Sequence, residues 1–256
     1  MTQKIGFIGI GMFAVYTVKG LRNGGNNDTI YLSPRGKKNA DELAKNQQCI
    51  VLDSNQSVID SSDIVIISVR PEQICELSSQ ITIPNGKIVI SAMAGIGIDL
   101  LKSTLNITDN IYRTLPVCCA ESRCGLVPVY PGDNKQVNEL LSLLGNLCLL
   151  NKESEFNGAS IASCINGSFY FWYDEMIKWF VKQGYNEDLS RSFVFENIIG
   201  TIEYAKLHND KSLSDIGSSI ATDGTYTQDG YKELLESGGL TSWINALDKI
   251  KDRLDN

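Results

Sequence analysis

Histidine, proline and long apolar runs are scarce in this sequence of 256 residues. It contains six prolines and one histidine, His208, which stands in the polar stretch Lys206–Lys211. A lone histidine at a solvated helix end is a poor candidate for general acid chemistry or for a metal site. The longest apolar stretch, Ile88–Ile98, is too short to cross a bilayer. The sequence therefore predicts no membrane span, no metal site and no histidine base.

Basic residues are in the minority. There are 23 Lys and Arg against 30 Asp and Glu, which gives a formal net charge of −7 and a pI of about 4.8. A wide face for nucleic-acid phosphates is therefore not expected. The seven cysteines are odd in number and scattered, and the cluster Cys118, Cys119 and Cys124 holds no C-x-x-C pair. Thiols in this pattern are typical of a reduced compartment, so we expect a cytoplasmic protein.

Runs rich in Ile and Val alternate with helical patterns up to residue 152. Such alternation is typical of parallel βαβ units, and a run that is apolar throughout, such as 64–67, indicates a sheet covered on both faces. The predicted fold class is α/β, a doubly wound parallel sheet over residues 1–152. We expect strands at Lys4–Ile8, Thr29–Leu32, Cys49–Leu52, Ile64–Val69, Lys87–Ser91, Asn110–Thr114, Gly125–Val129 and Leu147–Leu150. We expect helices at Met12–Arg22, Lys38–Asn46, Gln56–Ser61, Glu72–Ser79, Asp99–Leu105 and Lys135–Leu144.

From residue 153 onward the strand signal disappears and helical patterns take over. We expect helices at Glu155–Gln183, Glu187–Leu207, Leu213–Ala221, Gln228–Glu236 and Thr241–Leu254. Aromatic residues such as Phe169, Trp172 and Trp179 lie on more than one side of the first of these helices. Because about 100 residues of helix make a thin core, we expect residues 153–256 to form an all-α domain that pairs with a second copy. Packing of these aromatics on the first domain alone is the alternative.

A glycine-rich turn follows the first predicted strand. Residues 9–14 read Gly-Ile-Gly-Met-Phe-Ala, a G-x-G-x-x-A pattern between a strand and a helix. Gly9 allows the tight turn, Gly11 lets the backbone approach a pyrophosphate, and Ala14 lets the helix pack on the sheet. The pattern predicts a dinucleotide site, and a plain glycine turn is the alternative.

The end of the second predicted strand indicates which dinucleotide binds. An NAD-binding domain usually has a carboxylate there. Here residues 31–38 read Tyr-Leu-Ser-Pro-Arg-Gly-Lys-Lys, with a hydroxyl and three cations but no acid. Ser33 and Arg35, supported by Lys37, suit a 2′-phosphate, so NADPH is the expected cofactor. A solvated basic helix start is the alternative, although cations there oppose the helix dipole.

Two more predicted strand ends belong to the expected site. The fourth strand runs into Ser68-Val69-Arg70-Pro71, and the fifth runs through Ala92-Met93-Ala94. Doubly wound sheets hold their ligands at the carboxyl ends of strands, and small residues at 92–94 would let a nicotinamide ring lie close to the backbone. Each segment alone is equally compatible with an ordinary turn, so the expectation depends on their joint position.

Six short blocks occur in a recognisable order along the chain. They are Ile5–Gly11, Asn55, Val69–Pro71, Ala94–Gly95, Arg113–Pro116 and Leu235–Gly239. Together they resemble the pyrroline-5-carboxylate reductase family over nearly the full length. The resemblance implies an NADPH- or NADH-dependent imine reductase with a Rossmann domain followed by a helical domain that dimerises. The residues that it assigns to the cofactor are Ile8, Gly9, Ile10, Gly11, Met12, Phe13, Ser33, Arg35, Asn55, Ser68, Val69, Arg70, Pro71, Ala92, Met93 and Ala94.

The family's substrate loop has the pattern Ser-Pro-Gly-Gly-x-Thr, which corresponds here to residues 222–227. The resemblance makes Thr227, with Tyr226 as a second candidate, the donor to an imine nitrogen. It makes Asp223, Gly224 and Thr225 the residues that meet a substrate carboxylate, although the charge of Asp223 would oppose one. A glycine turn that caps the next helix is the alternative.

The function expected from these features is NADPH-dependent reduction of a cyclic imine, 1-pyrroline-5-carboxylate to proline or a related imine. Val117-Cys118-Cys119 replaces the family's Asn-Thr-Pro, and the entry signature of the helical domain is faint in Ser163–Ser168, so the imine itself is left open. A β-hydroxyacid dehydrogenase is a second possibility, but it needs a lysine with an asparagine one turn later, where this chain has Lys178 and Lys182. A non-catalytic NADP-binding paralogue with a regulatory role is the third.

Overall fold

The computed structural model describes residues 3–255. The strands found there are β1 (Lys4–Ile8), β2 (Thr29–Leu32), β3 (Ile50–Val51), β4 (Ile64–Ile67), β5 (Ile88–Ser91), β6 (Ile111–Thr114), β7 (Leu126–Tyr130) and β8 (Asn146–Leu149). They form one sheet with the order β3-β2-β1-β4-β5-β6-β7-β8. The chain reverses its direction of travel across the sheet between β3 and β4, so β1 and β4 lie side by side. The predicted α/β fold with a doubly wound, mostly parallel sheet is confirmed.

Helices accompany the sheet and then continue alone. Those that alternate with strands are α1 (Met12–Asn23), α2 (Lys37–Gln47), α3 (Asn55–Ser61), α4 (Ile74–Ser78), α5 (Ile98–Leu105) and α6 (Lys135–Ser142). Those that follow the sheet are α7 (Glu153–Lys182), α8 (Glu187–Leu207), α9 (Leu213–Ile220), α10 (Tyr226–Glu236) and α11 (Gly239–Asp255). Short 3₁₀ segments lie at Pro71–Gln73 and Cys118–Ser122.

Capping side chains explain where several helices begin. Ser54 accepts a hydrogen bond from the backbone N–H of Ser57 at the start of α3, and Asn186 accepts one from Leu189 at the start of α8. These bonds satisfy N–H groups that have no partner inside the first turn of a helix. The starts of α3 and α8 therefore have a local physical basis.

The core lies on both faces of the sheet. Every residue of β4 is buried, which requires cover on both sides. One face packs against α1, α2 and α6 in a cluster that includes Phe7 and Val137. The other face packs against α3, α4 and α5 in a cluster that includes Ile8 and Val58. Because neighbouring residues of a strand point to opposite faces, Phe7 and Ile8 belong to different clusters.

The sheet departs from the prediction in one pairing. β6 and β7 are antiparallel, with Arg113 opposite Tyr130 and Thr114 opposite Val129. The expectation of purely parallel units was therefore wrong at this point. A parallel return needs a crossover, usually a helix, whereas residues 115–125 contain only the 3₁₀ segment Cys118–Ser122 before the chain turns back.

Some predicted elements are shorter or broken in the structure. The third strand has two residues instead of the expected Cys49–Leu52, because it lies at the edge of the sheet, where Ile50 and Val51 are exposed. The expected fourth helix, Glu72–Ser79, divides into a 3₁₀ segment from Pro71 and the short α4. Proline lacks a backbone N–H and restricts the local geometry, which fits an irregular helix start.

The described chain divides into two compact units. Residues up to Ser163, with the last turn from Leu254, form the first unit, and Cys164–Arg253 forms the second. The helix α7 begins at Glu153, and Phe156 in its first turns is buried in the first unit. The compact units divide inside α7, whereas the expected domain boundary at 152/153 lies at the start of that helix. That boundary stays a prediction. In the second unit aromatic rings link the helices, such as Phe169 with Trp243 at 5.1 Å between ring centroids.

No helix within the described residues combines the length and the apolar character that crossing a membrane requires. Over the same part of the chain, His, Cys, Asp and Glu side chains form no group of three or more that could hold a metal ion.

Candidate functional site

The turn between β1 and α1 is held by the ends of two neighbouring strands. Gly9 has φ +91°, and a Cβ at this residue would lie 2.8 Å from the carbonyl oxygen of Ser68. The N–H of Gly9 donates to Ser33 Oγ at 3.0 Å, and Ser68 Oγ donates to the carbonyl oxygen of Gly9 at 2.7 Å. A side chain at this position would combine strain with a clash, so the turn requires glycine.

Beyond Gly9 the turn opens to solvent. A Cβ at Gly11 would have no atom of the described residues within 4 Å, and the first backbone bond of α1 runs from Val15 to Gly11 at 3.2 Å. The first turn of α1 contains no acidic residue. The space beside Gly11 is therefore open at the positive end of a helix, where backbone N–H groups without helical partners suit a pyrophosphate. Ala14 is fully buried, as the packing of α1 on the sheet requires.

Ser33 takes part in the site in a different way from Arg35 and Lys37. Ser33 is fully buried, and its hydroxyl accepts the N–H of Gly9. It therefore shapes the phosphate turn and presents no surface to a 2′-phosphate in this structure. Arg35 and Lys37 are exposed, and Lys37 opens α2 without any acidic residue in the first turn of that helix. These two cations are the exposed members of the predicted 2′-phosphate site.

Arg35 is already engaged by a carboxylate that the sequence analysis did not consider. Its Nη2 lies 2.5 Å from Glu76 Oε1 on α4. Gln80 Nε2 donates to the same Glu76 oxygen at 3.3 Å, and Asn55 Nδ2 donates to Gln80 Oε1 at 3.5 Å. The hydrogen bond from Arg35 is the main cause that lowers the pKa of Glu76. These four residues, which we call the Arg35 network, connect the loop before α2 to the start of α3.

A cleft runs along the Arg35 network. Its lining residues are Pro34, Arg35, Asp53, Ser54, Asn55, Gln56 and Gln80. Asp53 is the acidic member of this lining, and its Oδ1 accepts a hydrogen bond from Ser57 Oγ at 2.6 Å, which lowers its pKa. The predicted cofactor residues Arg35 and Asn55 thus meet at one cleft, together with Asp53 and Gln80, which sequence reasoning missed.

The other predicted strand ends reach the same edge of the sheet. In register, Ile67 pairs with Ile8 on one side and with Ser91 on the other. The N–H of Ser68 donates to Ile8 O at 2.8 Å, and the N–H of Ala92 donates to Ile67 O at 2.9 Å. The segments 68–71 and 92–94 therefore lie beside the phosphate turn at the carboxyl ends of the strands, where such sheets hold ligands. Met93 itself is buried in the apolar cluster that includes Ile8 and Val58.

In the second unit, the predicted substrate loop is a capped turn between α9 and α10. Thr225 Oγ1 accepts the N–H of Gln228, and the N–H of Thr225 donates to Thr222 O at 3.1 Å. The side chain of Gln228 also bonds to two earlier residues of the loop. Its Nε2 donates to Asp223 Oδ1 at 2.6 Å, and its Oε1 accepts the N–H of Gly224 at 3.3 Å. Both amides expected to meet a carboxylate thus have partners within the turn.

The two predicted hydroxyl donors differ in their surroundings. Tyr226 is 96% exposed. Thr227 lines a pocket of the second unit together with Leu213, Gly217 and Tyr231. Thr227 is therefore the better placed of the two to meet a ligand in this unit.

Lys178, which stands for the lysine of the β-hydroxyacid dehydrogenase alternative, is paired with two carboxylates. Lys178 Nζ lies 2.6 Å from Asp174 and 2.8 Å from Glu175, and these hydrogen bonds raise its pKa, the bond with Asp174 most. Such a lysine holds its proton firmly and lies on an exposed helix face. The residue one turn later is Lys182 and not asparagine, so the site does not favour that alternative.

Comparisons with known proteins cover both units. Residues 4–95 match the family "NADP oxidoreductase coenzyme F420-dependent", and residues 153–256 match "Pyrroline-5-carboxylate reductase dimerisation". Together with the curated relatives, these matches support membership of the pyrroline-5-carboxylate reductase family. A relative named pyrroline-5-carboxylate reductase from Vibrio alginolyticus is 23% identical over 245 residues, which is 91% of this chain and 90% of the relative. The resemblance predicted from the six sequence blocks is confirmed, and the low identity makes this chain a divergent member.

Two solved structures have the same fold. The 1-pyrroline-5-carboxylate reductase of Streptococcus pyogenes matches with a TM-score of 0.87 at 21% identity, covering 99% of this chain and 98% of that one. The pyrroline carboxylate reductase of Plasmodium falciparum, solved with NADP bound, matches with a TM-score of 0.84 at 21% identity, covering 98% and 97%. At these identities the likeness is evidence of the fold.

One sequence block of the pyrroline-5-carboxylate reductase family has a structural explanation here. Arg113 of the block 113–116 is 2% exposed, and its Nη1 lies 2.8 Å from Glu153 Oε1 while its guanidinium covers the ring of Phe156 at 4.1 Å. The same Glu153 oxygen accepts the N–H of Ile98 at 2.7 Å. Burial lowers the pKa of Arg113, and the bond with Glu153 opposes that shift. Glu153 thus ties α5, β6 and the start of α7 together.

Proposed function

We propose that this chain is an NADPH-dependent imine reductase that converts 1-pyrroline-5-carboxylate to proline, or acts on a related cyclic imine. The observation that carries the proposal is the open phosphate turn at Gly11, in a chain whose residues 153–256 match the pyrroline-5-carboxylate reductase dimerisation family. The curated relatives bear the name of that enzyme. The proposal adds cytoplasmic location and a role in proline biosynthesis, as expected from the sequence.

The cofactor residues have separate tasks in this proposal. Backbone amides from Gly11 to Ala14 hold the pyrophosphate, while Arg35 and Lys37 hold the 2′-phosphate that distinguishes NADPH from NADH. Asn55 borders the ribose. The segments 68–71 and 92–94 support the nicotinamide at the strand ends.

The protein's contribution to the chemistry is alignment and hydrogen bonding. When bound, the reduced nicotinamide would supply a hydride to the carbon of the C=N bond, and a proton from water would reach the nitrogen, so that the imine becomes a secondary amine. Thr227 Oγ1 donates to the imine nitrogen, with Tyr226 as the second candidate, and so orients the C=N bond and stabilises charge on nitrogen. The amides of Gly224 and Thr225 bind the substrate carboxylate once their present bonds, to Gln228 Oε1 and to the carbonyl oxygen of Thr222, are released. Gln228 Nε2 continues to donate to the carboxylate of Asp223, whose negative charge would otherwise oppose the substrate carboxylate more strongly.

The functional form in this proposal is a homodimer through the helical unit. Large apolar side chains are exposed along its helices, for example Phe171 at 77% and Leu207 at 76%. Exposed apolar surface of this extent is typical of an interface, and a second copy is the partner that the dimerisation family implies.

Turnover with purified protein tests the proposal. NADPH absorbance is followed with 1-pyrroline-5-carboxylate, with a larger carboxylated cyclic imine and with an uncharged cyclic imine. We expect NADPH oxidation with a carboxylated ring. Absence of affinity for both NADPH and NADH would contradict the proposal outright.

A non-catalytic NADP-binding paralogue is the second candidate. It is favoured by the substrate loop, in which Gln228 occupies the Gly224 amide and Asp223 stands in place of the family's proline. Tight NADPH binding without turnover of any imine in the panel would select this candidate.

A further inference from the structure

We propose that Glu76 is a specificity-determining residue whose carboxylate competes with the 2′-phosphate of NADPH for Arg35. By that competition it limits how strongly the site prefers NADPH over NADH. The inference rests on the proposed function, because it concerns the same nucleotide cleft. It assigns a role to a residue outside the sequence motifs.

The contact between the two side chains is direct. Arg35 Nη2 and Glu76 Oε1 are 2.5 Å apart, a short, charge-assisted hydrogen bond. It joins residues that are 41 positions apart, and Arg35 itself lines the cleft with Asn55 and Gln80. Since Gln80, another lining residue, donates to the same oxygen of Glu76, the carboxylate is held against two side chains that line this cleft.

The charge balance gives the sign of the effect. Paired with Glu76, Arg35 offers no net charge to an anion. A 2′-phosphate that binds Arg35 must either displace Glu76 or lie close to its negative charge, and the lining of the cleft itself contributes the carboxylate of Asp53. Like charges at short range repel even at a solvated rim. NADH has a single uncharged hydroxyl in place of that phosphate, so the repulsion acts on NADPH.

The alternative is that Glu76 holds Arg35 in place for the phosphate. In that case, loss of Glu76 would weaken NADPH binding instead of strengthening it. The geometry favours competition. The two side chains are 57% and 47% exposed, so Arg35 can swing to a phosphate without its partner. Lys37 and Lys38 are exposed at the start of α2 and add positive charge that keeps a 2′-phosphate in place after the exchange.

Binding measurements on Glu76→Gln test the inference. Calorimetry on the full chain gives the dissociation constants of NADPH, NADH, 2′,5′-ADP and 5′-AMP. We expect NADPH and 2′,5′-ADP to bind to the variant about five- to tenfold more tightly than to the native chain. The dissociation constants of NADH and 5′-AMP should not change. Glu42→Gln is the matched control, since it removes the same charge from an ion pair with Lys19 elsewhere in the unit.

A second pair of variants tests whether Arg35 is the object of the competition. In an Arg35→Gln background, the added Glu76→Gln change should have much less effect on NADPH affinity than it has in the native background. Three results would each overturn the inference. The first is an equal gain in NADPH affinity in the Arg35→Gln background. The others are, in Glu76→Gln alone, an unchanged ratio of NADPH to NADH affinity or weaker NADPH binding. If the native chain binds neither nucleotide, the proposed function fails and this inference fails with it.

Discussion

The two units of this chain bury their apolar residues to different extents. The first unit encloses both faces of an eight-stranded sheet, and residues such as Phe7, Leu21 and Ile66 are almost inaccessible. In the second unit, Ile165, Ile177 and Val194 are the buried apolar residues among those described, whereas most of the chain's exposed large apolar side chains lie there. A layered α/β unit thus completes its own core, and the helical unit does not.

The difference follows from geometry. A sheet that is flanked by helices on both sides buries nearly every residue of its central strands. A set of five helices of about 90 residues has a high ratio of surface to volume, so it leaves apolar faces uncovered unless another body packs on them. The first unit therefore carries the candidate nucleotide site on a closed core, and we expect the second unit to gain stability from association.

The largest expected effect is on dimer formation, which we expect to depend on the second unit and not on the first. Phe171→Asp places a charge on an exposed apolar helix face of the second unit. We expect the dimer dissociation constant to rise about 100- to 1000-fold, because central interface residues contribute roughly 3–4 kcal/mol. Light scattering after size exclusion measures this. Leu100→Asp, at an exposed apolar residue of the first unit, should leave the dimer intact, and a native chain that is already monomeric would contradict the comparison.

A charge in the phosphate turn should abolish the function of the first unit and leave the second unchanged. Gly11→Asp adds a carboxylate where nothing lies within 4 Å, so the fold and the dimer should persist. NADPH affinity should fall about 100-fold, since a negative charge at this helix end repels the pyrophosphate. Calorimetry measures the affinity. The control is Gly158→Asp, at a glycine of the first unit whose surroundings are equally open and whose φ is not positive, and equal losses in both variants would refute a phosphate site at Gly11.

The buried ion pair should determine the stability of the first unit. Glu153→Gln leaves Arg113 buried without a counter-charge, and we expect a loss of about 2 kcal/mol in the free energy of unfolding. Urea denaturation measures it. Glu139→Gln, which breaks an exposed pair with Lys135, should change that free energy by less than about 0.5 kcal/mol. A similar small change in both variants would mean that the Arg113 pair does not stabilise the fold.

The smallest expected effect tests the division of labour between cofactor binding and chemistry. Thr227→Ala in the second unit should lower the turnover number about tenfold and leave NADPH affinity unchanged, because it removes one hydrogen bond to the imine nitrogen. Thr241→Ala, an exposed threonine of α11, is the control. Unchanged turnover in Thr227→Ala would remove that residue from the mechanism.

Several elements were predictable to the residue from local pattern. The strands Lys4–Ile8 and Thr29–Leu32 and the helix Glu187–Leu207 have the predicted bounds. Their apolar runs, turn residues and caps act over a few positions, so the local sequence contains the information. The third strand was predicted two residues too long, because its length depends on its position at the sheet edge, which no local pattern records.

The candidate site divides in the same way. The role of Gly9 and Gly11 was predictable, since a turn with positive φ between strand and helix requires glycine at fixed spacing. The pairing of Arg35 with Glu76 was not, because nothing in a short exposed helix indicates a contact 41 residues away. The burial of Ser33 was missed for a similar reason, since its hydroxyl turns inward to the Gly9 amide.

By itself the sequence determined the alternation of strands and helices, the phosphate turn, the absence of an acid at the end of β2, and the change to an all-helical second part. These features depend on short-range periodicity and on residue types. The tertiary structure decided the antiparallel pairing of β6 with β7, the neutralisation of Arg35 by Glu76, the internal bonds of the loop 222–227 and the exposure of the helical unit's apolar faces. Each of these depends on which distant segments meet when the chain folds, and local sequence does not specify such meetings.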